Sequence, residues 1–274
     1  MTYQENYQKW LDFAELPAYL RDELVAMDEK TKEDAFYTNL EFGTAGMRGL
    51  IGAGTNRINI YVVRQATEGL AQLIDSKGEE AKKRGVAIAY DSRHFSPEFA
   101  FESAQVLAAH GIKSYVFESL RPTPELSFAV RHLHTFAGIM VTASHNPAPF
   151  NGYKVYGEDG GQMPPADADA LTDYIRAIEN PFTVQLADLE ESKANGLIEV
   201  IGENVDAEYL KEVKGVNINK DLINEYGRDM KIVYTPLHGT GEMLARRALA
   251  QAGFEAVQVV EAQAVPDADF STVK

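Results

Sequence analysis

Residues 137–154 read Ala-Gly-Ile-Met-Val-Thr-Ala-Ser-His-Asn-Pro-Ala-Pro-Phe-Asn-Gly-Tyr-Lys. Ala137 to Val141 is a short apolar run of strand character. Ser144 follows just past its C-terminal end, where open α/β sheets place their ligands. Pro147 and Pro149 break regular structure, so Ser144 and His145 are expected on a rigid loop projecting from the sheet. By its residues alone, Thr142 to Pro147 is either a polar turn that caps a strand or a reactive, ligand-binding serine loop. It does not read as a hydrolase nucleophile. Catalytic triads draw their members from distant parts of a chain, and no Gly-x-Ser-x-Gly surrounds Ser144.

Outward from this strand the pattern alternates. Val62 to Arg84 carries apolar residues at helical spacing, Val86 to Tyr90 is a buried strand, and Ser96-Pro97 opens a helix with an N-cap serine. Lys113 to Phe117 is a strand, and Arg121-Pro-Thr-Pro124 leads into a helix over Glu125 to His134. Alternating strands and helices imply a mixed, largely parallel sheet flanked by helices, an α/β fold. Asp91 and Arg93, at the end of the 86–90 strand, either pair with each other or shape a site. Gly43 to Gly54 is glycine-rich; it lets backbone N–H groups approach an oxyanion, and Arg48 adds a planar fork matched to phosphate.

Upstream, residues 3 to about 30 read as two short helices interrupted by Pro17 and packed on the chain's own core. Downstream, Gly157 to Gln162 is a tight turn, Asp167 to Ile178 a helix, and 182–203 a linker. A second α/β unit follows: helices near 204–227, a strand at Lys231 to Tyr234, a helix from Glu242 to Ala252 and a strand at Ala256 to Val260.

The 274 residues, 45% hydrophobic and 24% charged, suit one large or two medium soluble domains. A net charge of −15 repels nucleic-acid phosphates and anionic membranes, so neither is an expected partner, and any sugar-phosphate site must concentrate its cations locally. Without cysteine there are no disulfides or thiolate metal sites, which fits a reducing cytosol. No secretion signal or membrane-spanning run is read, so a soluble cytoplasmic protein is expected.

Thr142-Ala-Ser-His-Asn-Pro147 with Asn151-Gly-Tyr-Lys154 resembles the phosphoserine loop of the α-D-phosphohexomutases, the family of phosphoglucomutase and phosphomannomutase. Three further segments agree with that family in order: Gly43-Thr-Ala-Gly-Met-Arg-Gly49, Tyr90-Asp-Ser-Arg93 and Thr235-Pro-Leu-His-Gly-Thr-Gly241. The long extension before Gly43 looks most like the bacterial phosphoglucomutase branch.

The resemblance implies a phosphoryl relay. Phosphoserine at Ser144 exchanges its phosphoryl group with a hexose phosphate through glucose 1,6-bisphosphate, which also serves as activator, with Mg²⁺ as counter-ion. It implies catalytic roles for Ser144, His145, Lys154 and Arg48, with His145 either a proton shuttle or a turn-stabilising group, and phosphate or substrate contacts from Thr44, Gly46, Asn146 and Arg121. The family's Asp-x-Asp-x-Asp-Arg metal loop has no match; Asp167-Ala-Asp169 and Asp267-Ala-Asp269 lack the third acid, leaving only the Ser144 phosphate as an implied metal contact.

The implied division is a first domain over 1–190 and a partial second over 191–274, ending before the metal loop. The expectation is therefore the N-terminal part of a phosphoglucomutase, inactive alone and prone to self-association through its second unit. Phosphomannomutase or phosphoglucosamine mutase activity, or a non-catalytic binding module, are the alternatives.

Overall fold

A computed structural model describes residues 2–43 and 46–273. The chain opens with α1 (Tyr3–Asp12), α2 (Ala18–Ala26) and α3 (Glu29–Phe36), one helix more than the sequence reading expects. The third starts because the Asp28 side chain accepts the Thr31 N–H, a cap that apolar spacing does not reveal. Trp10, Leu20, Leu24 and Phe36 are buried, and Trp10 packs edge-on against Phe36 and Tyr61, so the arm lies on the chain's own core.

Among the described residues the first unit holds a six-stranded sheet: β1 (Met47–Leu50), β2 (Val86–Tyr90), β3 (Ser114–Phe117), β4 (Ala137–Val141), β5 (Phe150–Tyr156) and β6 (Ile198–Ile201). Their order is β1-β5-β4-β2-β3-β6. The β4-β2-β3-β6 run is parallel, while β5 runs antiparallel to both β4 and β1. The connecting helices are α4 (Ile60–Lys77), α5 (Glu79–Arg84), α6 (Ser96–Ala109), α7 (Thr123–His132), α8 (Pro165–Ala177) and α9 (Leu189–Ala194).

Every residue of β2 and β4 is buried, because helices cover both faces. Val86, Ile88 and Tyr90 join the core with α4, α6 and α8, while Ala87 and Ala89 meet Leu126 and Val130 of α7. Each large side chain so placed contributes about 1.5–3 kcal/mol of transfer free energy. The small alanines let α7 pack closely against the sheet.

Two expectations are corrected. Residues 182–203 are not a linker: they hold a 3-10 turn at Pro181–Thr183, then α9, then β6, which pairs with β3 from Ser114↔Ile198 to Phe117↔Ile201. The first sheet therefore extends past residue 190. Ser96 is not an N-cap. Phe95 caps α6 in a left-handed conformation (φ 63°), and the Ser96 hydroxyl donates to Asp91 Oδ1 at 2.8 Å.

The second unit comprises α10 (Glu203–Gly215), α11 (Lys220–Tyr226), β7 (Ile232–Tyr234), α12 (Glu242–Ala252) and β8 (Val257–Val259), with β7 and β8 parallel. No helix among the described residues is long and apolar enough to cross a membrane.

Candidate active site

β2 and β4 finish in register, Tyr90 opposite Val141, so Asp91 and Thr142 leave the sheet side by side. The Asp91 N–H donates to Val141 O at 3.1 Å, and the Thr142 hydroxyl donates to Asp91 Oδ2. That hydroxyl in turn accepts the Ser144 N–H at 2.9 Å. Asp91 Oδ1 also accepts the Arg93 N–H and the Ser96 hydroxyl. One carboxylate thus fixes the first turn of two loops.

Arg93 fixes the rest. Its guanidinium is almost fully buried and donates to four carbonyls of the serine loop: Pro147 and Phe150 at 2.9 Å, Ser144 at 3.0 Å, and Asn146. Its Nε lies 3.2 Å from Asp91 Oδ2. Pro147 and Pro149 bring no N–H groups, so a regular ladder could not satisfy these carbonyls, and an arginine fork does. Both sequence readings of Asp91 and Arg93 therefore hold together: they pair, and as a pair they shape the loop.

The loop places Ser144 at φ 59°, a left-handed conformation costing a non-glycine residue roughly 1–2 kcal/mol, sustained by these bonds. Ser144 and His145 are exposed, with Ser144 Oγ 3.3 Å from His145 Nδ1. The chain then turns back into β5 through Asn151, whose amide donates to His94 O and Ser96 Oγ, and through Gly152. A Cβ on Gly152 would stand 2.5 Å from Thr142 O and 2.9 Å from Met47 O, so only glycine lets the three strands meet here.

Arg48 on β1 is paired with Gly152, and Lys154 lies two residues further along β5, so both side chains leave one face as diagonal neighbours. Arg48 Nη1 donates to Asn146 Oδ1 at 2.7 Å. Burial lowers the Lys154 pKa below the usual lysine value, and the Arg48 charge lowers it further. In a chain of net charge −15 these cations flank the serine loop, about a hundred residues apart in sequence for Arg48 and ten for Lys154.

A cavity of about 340 Å³ opens beside Ser144, lined by Asp91, Ser92, Met140, Thr142, His145 and Lys154, with Gly239, Thr240 and Phe270 from the second unit. Larger hollows of about 590 and 640 Å³ lie beside Trp10 and beside His110, away from these groups. Volume does not choose between them; convergence of an exposed hydroxyl, an imidazole and cations does.

Of the other expected residues, Gly46 (φ 82°) exchanges backbone hydrogen bonds with Gly43 and packs so closely on β5 that a Cβ would sit 2.2 Å from Tyr153 O. Thr44 lies outside the described residues. Arg121 is a correction. It is 1% exposed, its Nε and Nη2 grip both oxygens of Asp206 on α10 at 2.8 Å, Nη2 also reaches Glu118, and Nη1 donates to Ser119 Oγ and Leu120 O, leaving no donor for a substrate phosphate. The residues that sequence reasoning undervalued are Arg93, Thr142 and Asn151; the doubled proline, which strands carbonyls, was the signal for Arg93.

The implied magnesium finds no site here. Among the described residues no three His, Asp or Glu groups converge to hold a metal. Near the cavity, Asp267 accepts the Asp269 and Ser271 N–H groups, and Asp269 meets His94 Nε2 at 2.7 Å. Asp167 lies in the first turn of α8.

Fold and site together define a mixed α/β protein with an exposed serine loop flanked by cations. The chain belongs to the phosphoglucomutase/phosphomannomutase family: residues 39–182 match its alpha/beta/alpha domain I and residues 207–274 its alpha/beta/alpha domain II. It is 40% identical to a phosphoglucomutase of Staphylococcus haemolyticus over 99% of this chain and 47% of that protein, and 37% identical to one of Staphylococcus epidermidis over 96% and 46%. A Thermus thermophilus crystal structure assigned as a phosphomannomutase superposes with a TM-score of 0.71 at 25% identity, over 86% of this chain and 48% of that one. The chain spans about half the length of the curated relatives it matches.

Proposed function

We propose that the protein is a phosphoglucomutase in which Ser144 carries the phosphoryl group exchanged with glucose phosphates. The observation that carries this reading is the exposed Ser144 hydroxyl, held in a left-handed turn by Arg93 and Asp91 and flanked by Arg48 and Lys154. The phosphoglucomutase relatives at 37–40% identity favour glucose as the sugar.

In the first half-reaction the 6-hydroxyl oxygen of glucose 1-phosphate bonds to the phosphorus of phosphoserine while the bond to Ser144 Oγ breaks. The hydroxyl proton passes through His145, 3.3 Å from Oγ, to the leaving oxygen. Glucose 1,6-bisphosphate then reorients. Its 1-phosphoryl group returns to Oγ, the serine proton goes to the departing anomeric oxygen, and glucose 6-phosphate leaves. Arg48 and Lys154 offset charge on the equatorial oxygens during both transfers. Magnesium chemistry would need carboxylates beyond those around this cavity.

Turnover is proposed to require more than these residues, since the relatives are about twice as long. A coupled assay of glucose 1-phosphate conversion, run on this chain and on the full product of its reading frame, tests the reading. Ser144→Ala in the full product should lose turnover by on the order of a thousandfold or more, and unchanged turnover would refute the assignment. The likeness to a phosphomannomutase structure makes mannose 1-phosphate the control substrate, and a preference for it would move the proposal to that sugar.

A further inference from the structure

The segment Thr235 to Gly241 has no part in the chemistry above, yet it supplies Gly239 and Thr240 to the lining of the Ser144 cavity. Its backbone is strained there. Leu237 (φ 51°) and His238 (φ 62°) are consecutive non-glycine residues in the left-handed region, each costing about 1 kcal/mol or more.

His238 is held from every side. It is 2% exposed, and its N–H donates to Gln263 O at 2.9 Å. Its ring Nδ1 lies 2.8 Å from Val265 O and Nε2 2.7 Å from Thr272 Oγ1. A carbonyl can only accept, so Nδ1 carries the proton and Nε2 accepts the threonine hydroxyl. The His238 carbonyl accepts the Ser92 hydroxyl at 2.9 Å, tying the strained turn to the loop that begins at Asp91. The imidazole's bonds to residues 265 and 272 and the carbonyl's bond to Ser92 thus meet in one residue, immediately before Gly239.

We infer that His238 is a positioning residue of the Ser144 cavity: it holds Gly239 and Thr240 as the surface against which the hexose phosphate is seated during transfer. The inference rests on the phosphoryl-transfer reading of Ser144 but assigns a role to residues that reading does not use. Its chemistry is specific. An Nδ1–H donor must be fixed toward Val265 O and an acceptor toward Thr272, which asparagine reproduces for the donor and leucine reproduces for neither.

The test is an amide NMR titration of the 274-residue chain with glucose 6-phosphate. Ser144, Gly239 and Thr240 should shift along a single isotherm, and the His238 ring should show the Nδ1–H tautomer. His238→Leu should weaken binding at least about tenfold, His238→Asn should recover most of that loss, and Thr272→Val, a mild surface change, should weaken it a few-fold. Shifts at Ser144 with none at Gly239 and Thr240, or equal affinities in wild type and Thr272→Val together with the Nε2–H tautomer, overturn the inference and leave the Ser144 reading standing. No shift at Ser144 fails the underlying reading, and the inference with it.

Discussion

The two units of this chain are built from the same alternation of strand and helix, yet they bury it to different extents. In the first, β2 and β4 have neighbours on both edges and helices on both faces, and every one of their residues is buried. In the second, β7 and β8 pair only with each other among the described residues, Val233 is 73% exposed, and Val216 and Ile218 are 74% and 90% exposed. Local pattern is enough to set an element; burial needs partners that the pattern does not supply. The site straddles this difference, with its reactive groups on the completed sheet and Gly239, Thr240 and Phe270 lining it from the sparsely packed unit.

The sharpest way to break the comparison is to remove what rigidifies the first unit's loop. Arg93→Ala would strand four carbonyls and leave Asp91 buried without its cation, a loss of about 3–5 kcal/mol. Urea unfolding followed by Trp10, the chain's one tryptophan, measures it, and a loss under about 1 kcal/mol would contradict the role given to Arg93.

The seam between the units comes next. Arg121 of the first grips Asp206 of the second, and Arg247 on α12 lies 3.6 Å from the same carboxylate. Asp206→Ala should cost about 2–3 kcal/mol and speed amide exchange in α10 and α12 while leaving β2 and β4 protected. Equal acceleration in both units would mean they unfold as one.

Glu125 gives the same seam a pH dependence. It is fully buried beside Asp206 and Arg121, and burial foremost, with Asp206 adding to it, pushes its carboxyl up to about 9. A raised acid binds its proton more tightly in the folded state, so its contribution is fully present below the ordinary value near 4.5 and is lost as pH rises toward about 9. Glu125→Gln should therefore leave stability unchanged near pH 4 and raise it at pH 8. A variant that is equally destabilised at both pH values would show that the carboxyl is ionised in the fold.

The smallest effect concerns the second unit's open surface. Its exposed valines and isoleucine should drive weak, reversible association, detectable by sedimentation at high concentration and reduced by Val233→Lys. Concentration-independent monomers would show that this surface is tolerated in water.

Legibility followed the same division. The apolar runs of β2 and β4 and the 242–252 helix could be read directly, because burial on both faces or on one helical stripe writes itself into composition. The place of Ser144, just past the end of β4, was legible too. Ile198–Ile201 was not, since four residues with Glu199 and Val200 facing outward carry little pattern, and only β3, some eighty residues earlier, makes them a strand. Arg121 misled for a related reason. The resemblance implies a phosphate contact for it, and the carboxylate that claims it lies 85 residues downstream. Arg93 was harder to read because its partners are backbone carbonyls, which every sequence has, and only Pro147 and Pro149 hint that some of them lack a ladder partner.

The central claim is that the Asp91–Arg93 scaffold presents Ser144 as the residue that carries phosphate. The direct measurement is phosphopeptide mass analysis of the segment containing Ser144, after the full product of the reading frame is incubated with glucose 1,6-bisphosphate. One phosphate on Ser144, absent in Ser144→Ala and much reduced in Arg93→Ala protein that remains folded, is the predicted result. Phosphate on another residue of the segment such as Thr142, or none on Ser144 at saturating bisphosphate, would contradict the account.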